Sequence, residues 1–248
     1  MNASDRHKII REILTENGFA SVEDLAERLN ASVATIRRDL NCLEAVGILT
    51  RFRGGAVPAP GSNTEEALHI EARMTQNHEA KERIARKAAS LVKDGDIIFI
   101  DSSSTTYYMI EHITAKNITV VTNATILLGV LQKKNIRTFM LGGFIDANCN
   151  CVLGEQVIAQ IKKMHFGKCF IGTYAVEANR GLTTYEMNEA NVKTQLLQST
   201  QEAFVLADHT KFEAKGFMAY ASLNSATIIT DRLPKNAELY PRLIVADV

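Results

Sequence analysis

From residue 96 onward, short apolar runs recur with helical patterns between them. The runs are 96–100, 118–122, 138–141, 168–172, 203–207, 227–230 and 243–246. They are rich in Ile, Val and Phe and show little polar alternation. A strand with one wet face alternates; a strand covered on both faces need not. Helical patterns near 79–92, 105–113, 124–131, 154–163 and 189–199 fill most of the gaps. Parallel neighbours need a helix-length crossover, so this alternation predicts an α/β domain with a mainly parallel sheet over 79–248.

The first 57 residues have a different texture. Ile9, Ile10, Ile13 and Leu14 fall at helical spacing before Asn17-Gly18. Ser21, with acidic residues behind it, caps a second helix that carries Leu25, Ala26 and Leu29 inward. Ser32 caps a third, which turns Val33, Ile36, Leu40 and Leu43 inward and ends at Gly47. Residues 48–57 alternate around Gly54-Gly55 and read as a hairpin. Three short helices and a hairpin make a winged helix-turn-helix, near the lower size limit for independent folding. Residues 58–78 read as a linker opened by Pro58-Ala59-Pro60-Gly61.

A helix-turn-helix reads DNA by offering its second helix to the major groove. The exposed positions of the third segment are Ser32, Ala34, Thr35, Arg37, Arg38 and Asn41. Arg grips guanine with two hydrogen bonds, and Asn and Thr reach other base edges. Small Ala34 permits close approach. Arg51 and Arg53 on the hairpin would meet phosphates, which adds affinity more than sequence choice. Asp39 would be repelled by DNA and is expected to brace the unit or orient a neighbouring Arg. The whole chain has net charge +0, so a uniformly basic binder is excluded. Residues 32–57, however, carry four Arg against Asp39 and Glu44. A three-helix interaction module with a solvated basic face is the alternative.

No apolar run approaches the ~20 residues that span a bilayer. Residues 1–6 lack the apolar core of a signal peptide, so a cytoplasmic protein with unpaired thiols is expected. The four cysteines and six histidines show no metal-ligand spacing, and no motif asks for a cofactor.

In the second domain the most informative stretch is Asp101-Ser102-Ser103-Ser104-Thr105-Thr106. It follows an apolar run and opens a helix. Ligands of parallel sheets sit at the carboxyl ends of strands, and amides at a helix start bind anions. Five hydroxyls add donors, so a phosphate fits; a plain hydroxyl-rich cap is the alternative. Asp101 would bind a sugar hydroxyl or brace the loop. Thr122 and Asn123 end one strand and could donate to sugar hydroxyls. Gly142 and Gly143 allow close backbone approach, and Gly172 ends the next strand.

Together these segments resemble one family. Glu23-Asp24-Leu25-Ala26-Glu27-Arg28-Leu29, Thr35-Ile36-Arg37-Arg38-Asp39-Leu40 and Arg51-Phe52-Arg53-Gly54-Gly55-Ala56 look like the signature of the DeoR family of bacterial sugar-responsive regulators. The hydroxyl loop is similar to that family's Asp-Ser-Gly-Thr-Thr loop, with Ser103 where Gly is frequent, which would narrow it. Gly181-Leu182-Thr183-Thr184, Asn188-Glu189-Ala190 with Lys193, and Asp208-His209-Thr210-Lys211-Phe212 also resemble family segments. The resemblance implies a fold like ribose-5-phosphate isomerase and glucosamine-6-phosphate deaminase. It implies a repressor of carbohydrate use that binds operator DNA and is released by a phosphorylated sugar or sugar alcohol. It places Glu189, Lys193, Asp208 and Lys211 in the effector cleft; a surface ion pair is the alternative for each Lys. Paired half-sites would need a homo-oligomer. The rival is a sugar-phosphate isomerase or deaminase with a fused DNA reader, using Asp101, Glu189, Asp208 or His209 as acid or base.

Overall fold

The computed structural model describes residues 3–17, 20–45, 48–52, 54–58, 73–74, 76–146 and 150–246. The chain divides into two compact units, Met1–Leu68 and His69–Val248. Most of the expected linker, including Leu68 and Ile70, lies outside the described residues.

The first unit runs α1 (Ala3–Asn17), β1 (Ala20–Ser21), α2 (Val22–Arg28), α3 (Val33–Ala45), β2 (Leu49–Phe52) and β3 (Gly55–Pro58). Ser21 accepts the Asp24 amide at 3.0 Å and caps α2 as expected. Ser32 accepts the Thr35 amide at 3.1 Å and caps α3. Ile10, Leu14, Leu25, Ile36, Leu40 and Leu43 close the core. β2 and β3 pair antiparallel, and Gly54 at φ 101° makes the turn. A third strand was not anticipated: β1 pairs with β3, Ala20 opposite Ala56. Two residues are too few to show a period.

Val33 departs from the expectation, at 37% exposed rather than inward. It is the first residue of α3, a turn ahead of Ile36, where the buried stripe begins. Asp39 braces the unit as expected, but through α1 and not a neighbouring Arg. Arg6 grips it with Nε at 2.7 Å and Nη2 at 3.1 Å, and His7 Nε2 adds a contact at 3.0 Å. Burial alone would raise the Asp39 carboxyl; Arg6 and His7 outweigh burial and hold it below its ordinary value.

The second unit holds α4 (His78–Ala89), β4 (Ile97–Ile100), α5 (Ser104–His112), β5 (Thr119–Thr122), α6 (Leu128–Lys133), β6 (Arg137–Met140), β7 (Ile145–Asp146), β8 (Cys151–Val152) and α7 (Glu155–Ile161). It continues through β9 (Phe166–Gly172), β10 (Ala175–Glu177), β11 (Gly181–Thr184), α8 (Met187–Gln198), β12 (Thr200–Leu206), β13 (Met218–Ala221), β14 (Thr227–Thr230) and β15 (Leu243–Val245). The seven apolar runs become one sheet in the order β15-β14-β12-β9-β4-β5-β6, and every neighbouring pair is parallel.

The missing alternation has a direct cause. Ile98 and Ile100 join the core under α4, α5 and α6, with Ile84, Met109, Ile110 and Leu131. Phe99, between them, joins the opposite core with Val157, Ile161 and Leu196 of α7 and α8. Successive strand residues face opposite sides, so both faces demand apolar side chains. Phe99, Phe166 and Phe170 are fully buried. Each such burial stabilises by roughly 1.5–3 kcal/mol.

The strand order also decides where a site can form. From β4 the chain steps outward to β5 and β6, then returns to β9 on the other side of β4. Strand order therefore reverses between β4 and β9, and a crevice opens beyond their carboxyl ends. A small antiparallel sheet, β10-β11-β13, was not anticipated. Its strands, Ala175–Glu177, Gly181–Thr184 and Met218–Ala221, are too short to show an apolar period. Among the described residues no helix is long and apolar enough to cross a membrane.

The Asp39 brace gives a stability prediction. Asp39→Asn should make the first unit unfold earlier on heating, because Arg6 and His7 lose their counter-charge. In the parent protein the contribution is present above the unfolded carboxylate range and lost as pH falls through the lower folded value. Calorimetry that finds the variant unshifted at neutral pH would refute the brace.

Candidate functional site

α3 presents Ala34, Arg37, Arg38 and Asn41 to solvent, beside exposed Ser32. Thr35 is half-buried, and its hydroxyl meets Ser32 Oγ at 2.8 Å. The arginines stand opposite the buried stripe of Ile36, Leu40 and Leu43, so packing fixes their direction. The Arg51 guanidinium donates to Asn41 Oδ1, and the Arg51 amide donates to Glu44 at 2.9 Å. Asn41 and Arg51 thus tie the helix to the wing. Arg53 lies outside the described residues.

The hydroxyl-rich loop lies at the crevice between β4 and β9. Asp101 follows β4, and Gly172 is the last residue of β9. Asp101 Oδ2 accepts the Gly172 amide at 2.8 Å, and Oδ1 accepts the Ser103 amide at 3.2 Å. Of the two roles open to Asp101, these bonds are those of a brace. The Thr106 hydroxyl donates to the Asp101 carbonyl at 2.8 Å. Ser103 and Thr106 form a reciprocal cap at the start of α5. Ser103 therefore replaces Gly without strain: its backbone is extended and its side chain is the cap. A Cβ on Gly172 would lie 2.4 Å from Ser103 Cβ, so only glycine fits there. Ser104 and Thr105 are buried, and Ser102 is half-buried. The amides of Ser104 and Thr105 are the first of α5 and point out of its crevice end.

Lys193 is the centre of this arrangement. Its Nζ lies 2.5 Å from Glu189, 3.6 Å from Asp101 and 2.8 Å from the Gly172 carbonyl. It also faces the Tyr220 ring at 5.6 Å. Lys193 is buried, so it is no surface ion pair. Burial alone would lower the ammonium; Glu189 and then Asp101 outweigh it and raise Lys193 above an ordinary lysine. Glu189 also accepts the Thr184 hydroxyl at 2.5 Å. Burial works to raise Glu189, but Lys193 and Thr184 hold it low. Asp101 is pushed up to about 6, chiefly by burial and partly by Glu189, against the pull of Lys193.

Asp208 is buried at the start of the 3-10 turn His209–Phe212 and accepts the Thr210 amide at 3.0 Å. Asn77 Nδ2 reaches it at 3.5 Å. Lys211, in the same turn, lies over the Tyr174 ring at 5.8 Å. Burial pushes Lys211 down to about 8. Lys81 is likewise pushed down to about 8, by burial first, with Asp208 opposing and Arg73 assisting. Arg73 also lowers Glu189, and its carbonyl accepts from Lys81 Nζ at 2.5 Å. Four basic side chains, Arg73, Lys81, Lys193 and Lys211, thus accompany three acidic ones, Asp101, Glu189 and Asp208.

Sequence reasoning missed Arg73 and Lys81. For Lys81 the signal was present: it lies three, four and seven positions before Ile84, Ala85 and Ala88, on the buried stripe of α4. The structure does not bring every expected residue to the loop. Thr122 donates to the Ile100 carbonyl at 2.6 Å, and Asn123 Nδ2 donates to the Val152 carbonyl at 2.9 Å. The Thr122 hydroxyl proton and one of the two Asn123 amide protons are thus engaged inside the fold. Gly142 is exposed and bracketed by Gln160, whose Oε1 accepts its amide at 3.1 Å. Gly143 packs toward Val152 and Gln156.

Residues 6–59 match the model of the DeoR-like helix-turn-helix domain, and residues 76–232 match that of the DeoR C terminal sensor domain. The chain belongs to the DeoR family. It is 35% identical over 231 residues to the uncharacterized HTH-type transcriptional regulator FruR of Bacillus subtilis, covering 93% of this chain and 91% of that one. It is 33% identical over 239 residues to the HTH-type transcriptional repressor GlcR of the same organism, covering 96% and 92%. It is 33% identical over 233 residues to the lactose phosphotransferase system repressor of Staphylococcus aureus, covering 92% of each. Ribose 5-phosphate isomerase A from Methanocaldococcus jannaschii is 17% identical over 55% of each chain, with a TM-score of 0.41. Like the relatives named, this DeoR-family chain is a helix-turn-helix regulator of transcription and not an enzyme.

The close approach of Gly172 to Ser103 yields a test. Gly172→Ala should displace the Ser103 cap and make the second unit unfold earlier on heating, while operator affinity stays within twofold. An unshifted unfolding temperature in calorimetry would refute the tight approach.

Proposed function

We propose that this regulator represses a carbohydrate-utilisation operon and leaves its operator when a phosphorylated sugar or sugar alcohol enters the cleft around Lys193. The observation that carries the reading is the set of basic groups beside a helix start at the β4–β9 crevice, Lys81 and Lys193 buried and Arg73 and Lys211 half-buried. Arg73, Lys81, Lys193 and Lys211 outnumber their carboxylates, and two of them are held near 8 by burial. Buried ammonium groups of that kind gain from a bound anion. The amides of Ser104 and Thr105 with the Ser102, Ser104 and Thr105 hydroxyls take the phosphate, and Asp208 and Glu189 accept from sugar hydroxyls. The names of the repressors it resembles support the same reading.

Arg37 and Arg38 read base edges, Ser32, Ala34 and Thr35 set the approach of the helix, and Asn41 holds Arg51 against the backbone beside Arg53. The regulator acts in the cytoplasm as a homo-oligomer on paired half-sites, because one small reader alone gives weak specificity. Effector and operator are coupled by about 1–3 kcal/mol through residues 58–78.

Two measurements check this. Arg37→Ala and Arg38→Ala should each cost about 1–3 kcal/mol of operator affinity. A gel shift in which both variants bind like the parent would sink the reading surface. The second is a thermal-shift screen with sugar monophosphates at several pH values. Lys81 and Lys211 are charged below about 8 and neutral above it. The phosphate's own second proton leaves near pH 6, so above pH 7 its charge is constant. The effective sugar phosphate should therefore stabilise the protein strongly at pH 7 and much less at pH 9. A response that stays level or grows with pH would contradict the assignment.

A further inference from the structure

Asp231 lies at the carboxyl end of β14, outside the cleft, and its side chain is fully buried. Four groups converge on its two oxygens. The His209 amide donates to Oδ1 at 2.7 Å, and His209 Nδ1 lies 3.0 Å from Oδ2. Arg232 Nε donates to Oδ2 at 3.1 Å, and Arg83 Nη2 lies 3.6 Å from the same atom. Burial works to raise this carboxyl; the His209 amide, Arg232 and the His209 ring hold it low. It is therefore a fixed negative charge.

The partners identify what that charge does. His209 stands between Asp208 and Lys211, so the bonds to its amide and ring pin the turn that carries both cleft residues. Arg83 belongs to α4, two residues after Lys81. Asp208 holds the same turn from the other side, through the Thr210 amide and Asn77. Two buried carboxylates thus fasten the turn to the end of the sheet and to α4. The two lysines that burial leaves near 8 sit on the two elements so joined.

We propose that Asp231 is a positioning residue for effector binding: it sets the distance between Lys81 and Lys211 without touching the effector. The inference rests on the sensor reading above. A buried charge aimed at a backbone amide, an imidazole and two guanidinium groups tolerates little displacement, because each lost bond strands a polar group. Two lysines on separately moving elements would have to be brought together by the anion itself, and that ordering would reduce its affinity.

The test uses the full-length protein bound to operator DNA. Fructose 1-phosphate, fructose 6-phosphate, galactose 6-phosphate and glucitol 6-phosphate are titrated in, with inorganic phosphate as control. With whichever compound releases the parent protein, Asp231→Asn should need at least tenfold more for half-release, while operator affinity stays within twofold. Lys211→Met should raise the requirement as well. In the Lys211→Met background, Asp231→Asn should add less than twofold, since the lysine it positions is gone. A general packing defect would instead multiply the two effects, and that outcome overturns the proposal. Arg83→Met, which keeps the buried carboxylate, should give a smaller shift of the same kind; a parent-like response there also overturns it. A parent protein that answers to none of the compounds would count against the sensor reading itself. A responsive parent with an equally responsive Asp231→Asn variant would remove only the positioning role.

Discussion

The cleft depends on one buried ammonium. Lys193 sits among Glu189, Asp101 and the Gly172 carbonyl, and these belong to three separate pieces of the fold. Burying a lone charge costs several kcal/mol, so the ammonium is tolerable only with its partners in place. The same requirement works in reverse. Asp101 must face Lys193, so the loop it braces is held against β9. Glu189 must face it too, so the first turn of α8 and Thr184 of β11 come with it. The hydroxyl loop, the helix start and the small antiparallel sheet are registered to one another through a single side chain.

Topology explains why that assembly stands where it does. The sheet grows outward from β4 in one direction and outward from β9 in the other, so the crossovers leave in opposite directions and uncover the ends of both strands. Asp101 is the first residue beyond β4, and Gly172 is the last of β9. The approach of Ser103 to Gly172 closes the crevice floor, and the helix dipole of α5 points into what remains. In the proposed sensor the basic residues of α4 and of the turn after β12 complete the site. Asp231 then ties those two elements to the sheet. A site of this kind needs no strained backbone, only the correct residue at each strand end.

Much of this was legible in the sequence because the relevant signals are local. Continuous apolar runs marked all seven parallel strands, since a strand packed on both faces cannot alternate. The caps at Ser21 and Ser32 marked helix starts, and the hydroxyl cluster marked the α5 loop. What the sequence hid was long-range or short-lived. The partner of Asp39 lies 33 positions away on α1, and no local rule points to it. β1 is two residues long and exists only because β3 is beside it. Thr122 and Asn123 looked like donors to a ligand; that the Thr122 hydroxyl and one Asn123 amide proton go to the Ile100 and Val152 carbonyls is settled only by packing. Lys81 was different. It interrupted an apolar helix face in plain view, and a lysine on such a face has to be answered by charge elsewhere in the fold.

In the proposed sensor an anionic sugar seats on the α5 start and spans to the lysines of α4 and of the turn after β12. Hydrogen–deuterium exchange on the full-length protein tests it most directly, with and without the sugar phosphate that stabilises it. Exchange should slow at residues 102–106, 172–174 and 208–212, with the outer strands β6 and β15 unchanged. Protection confined to β6 or β15, with residues 102–106 exchanging as before, would contradict it.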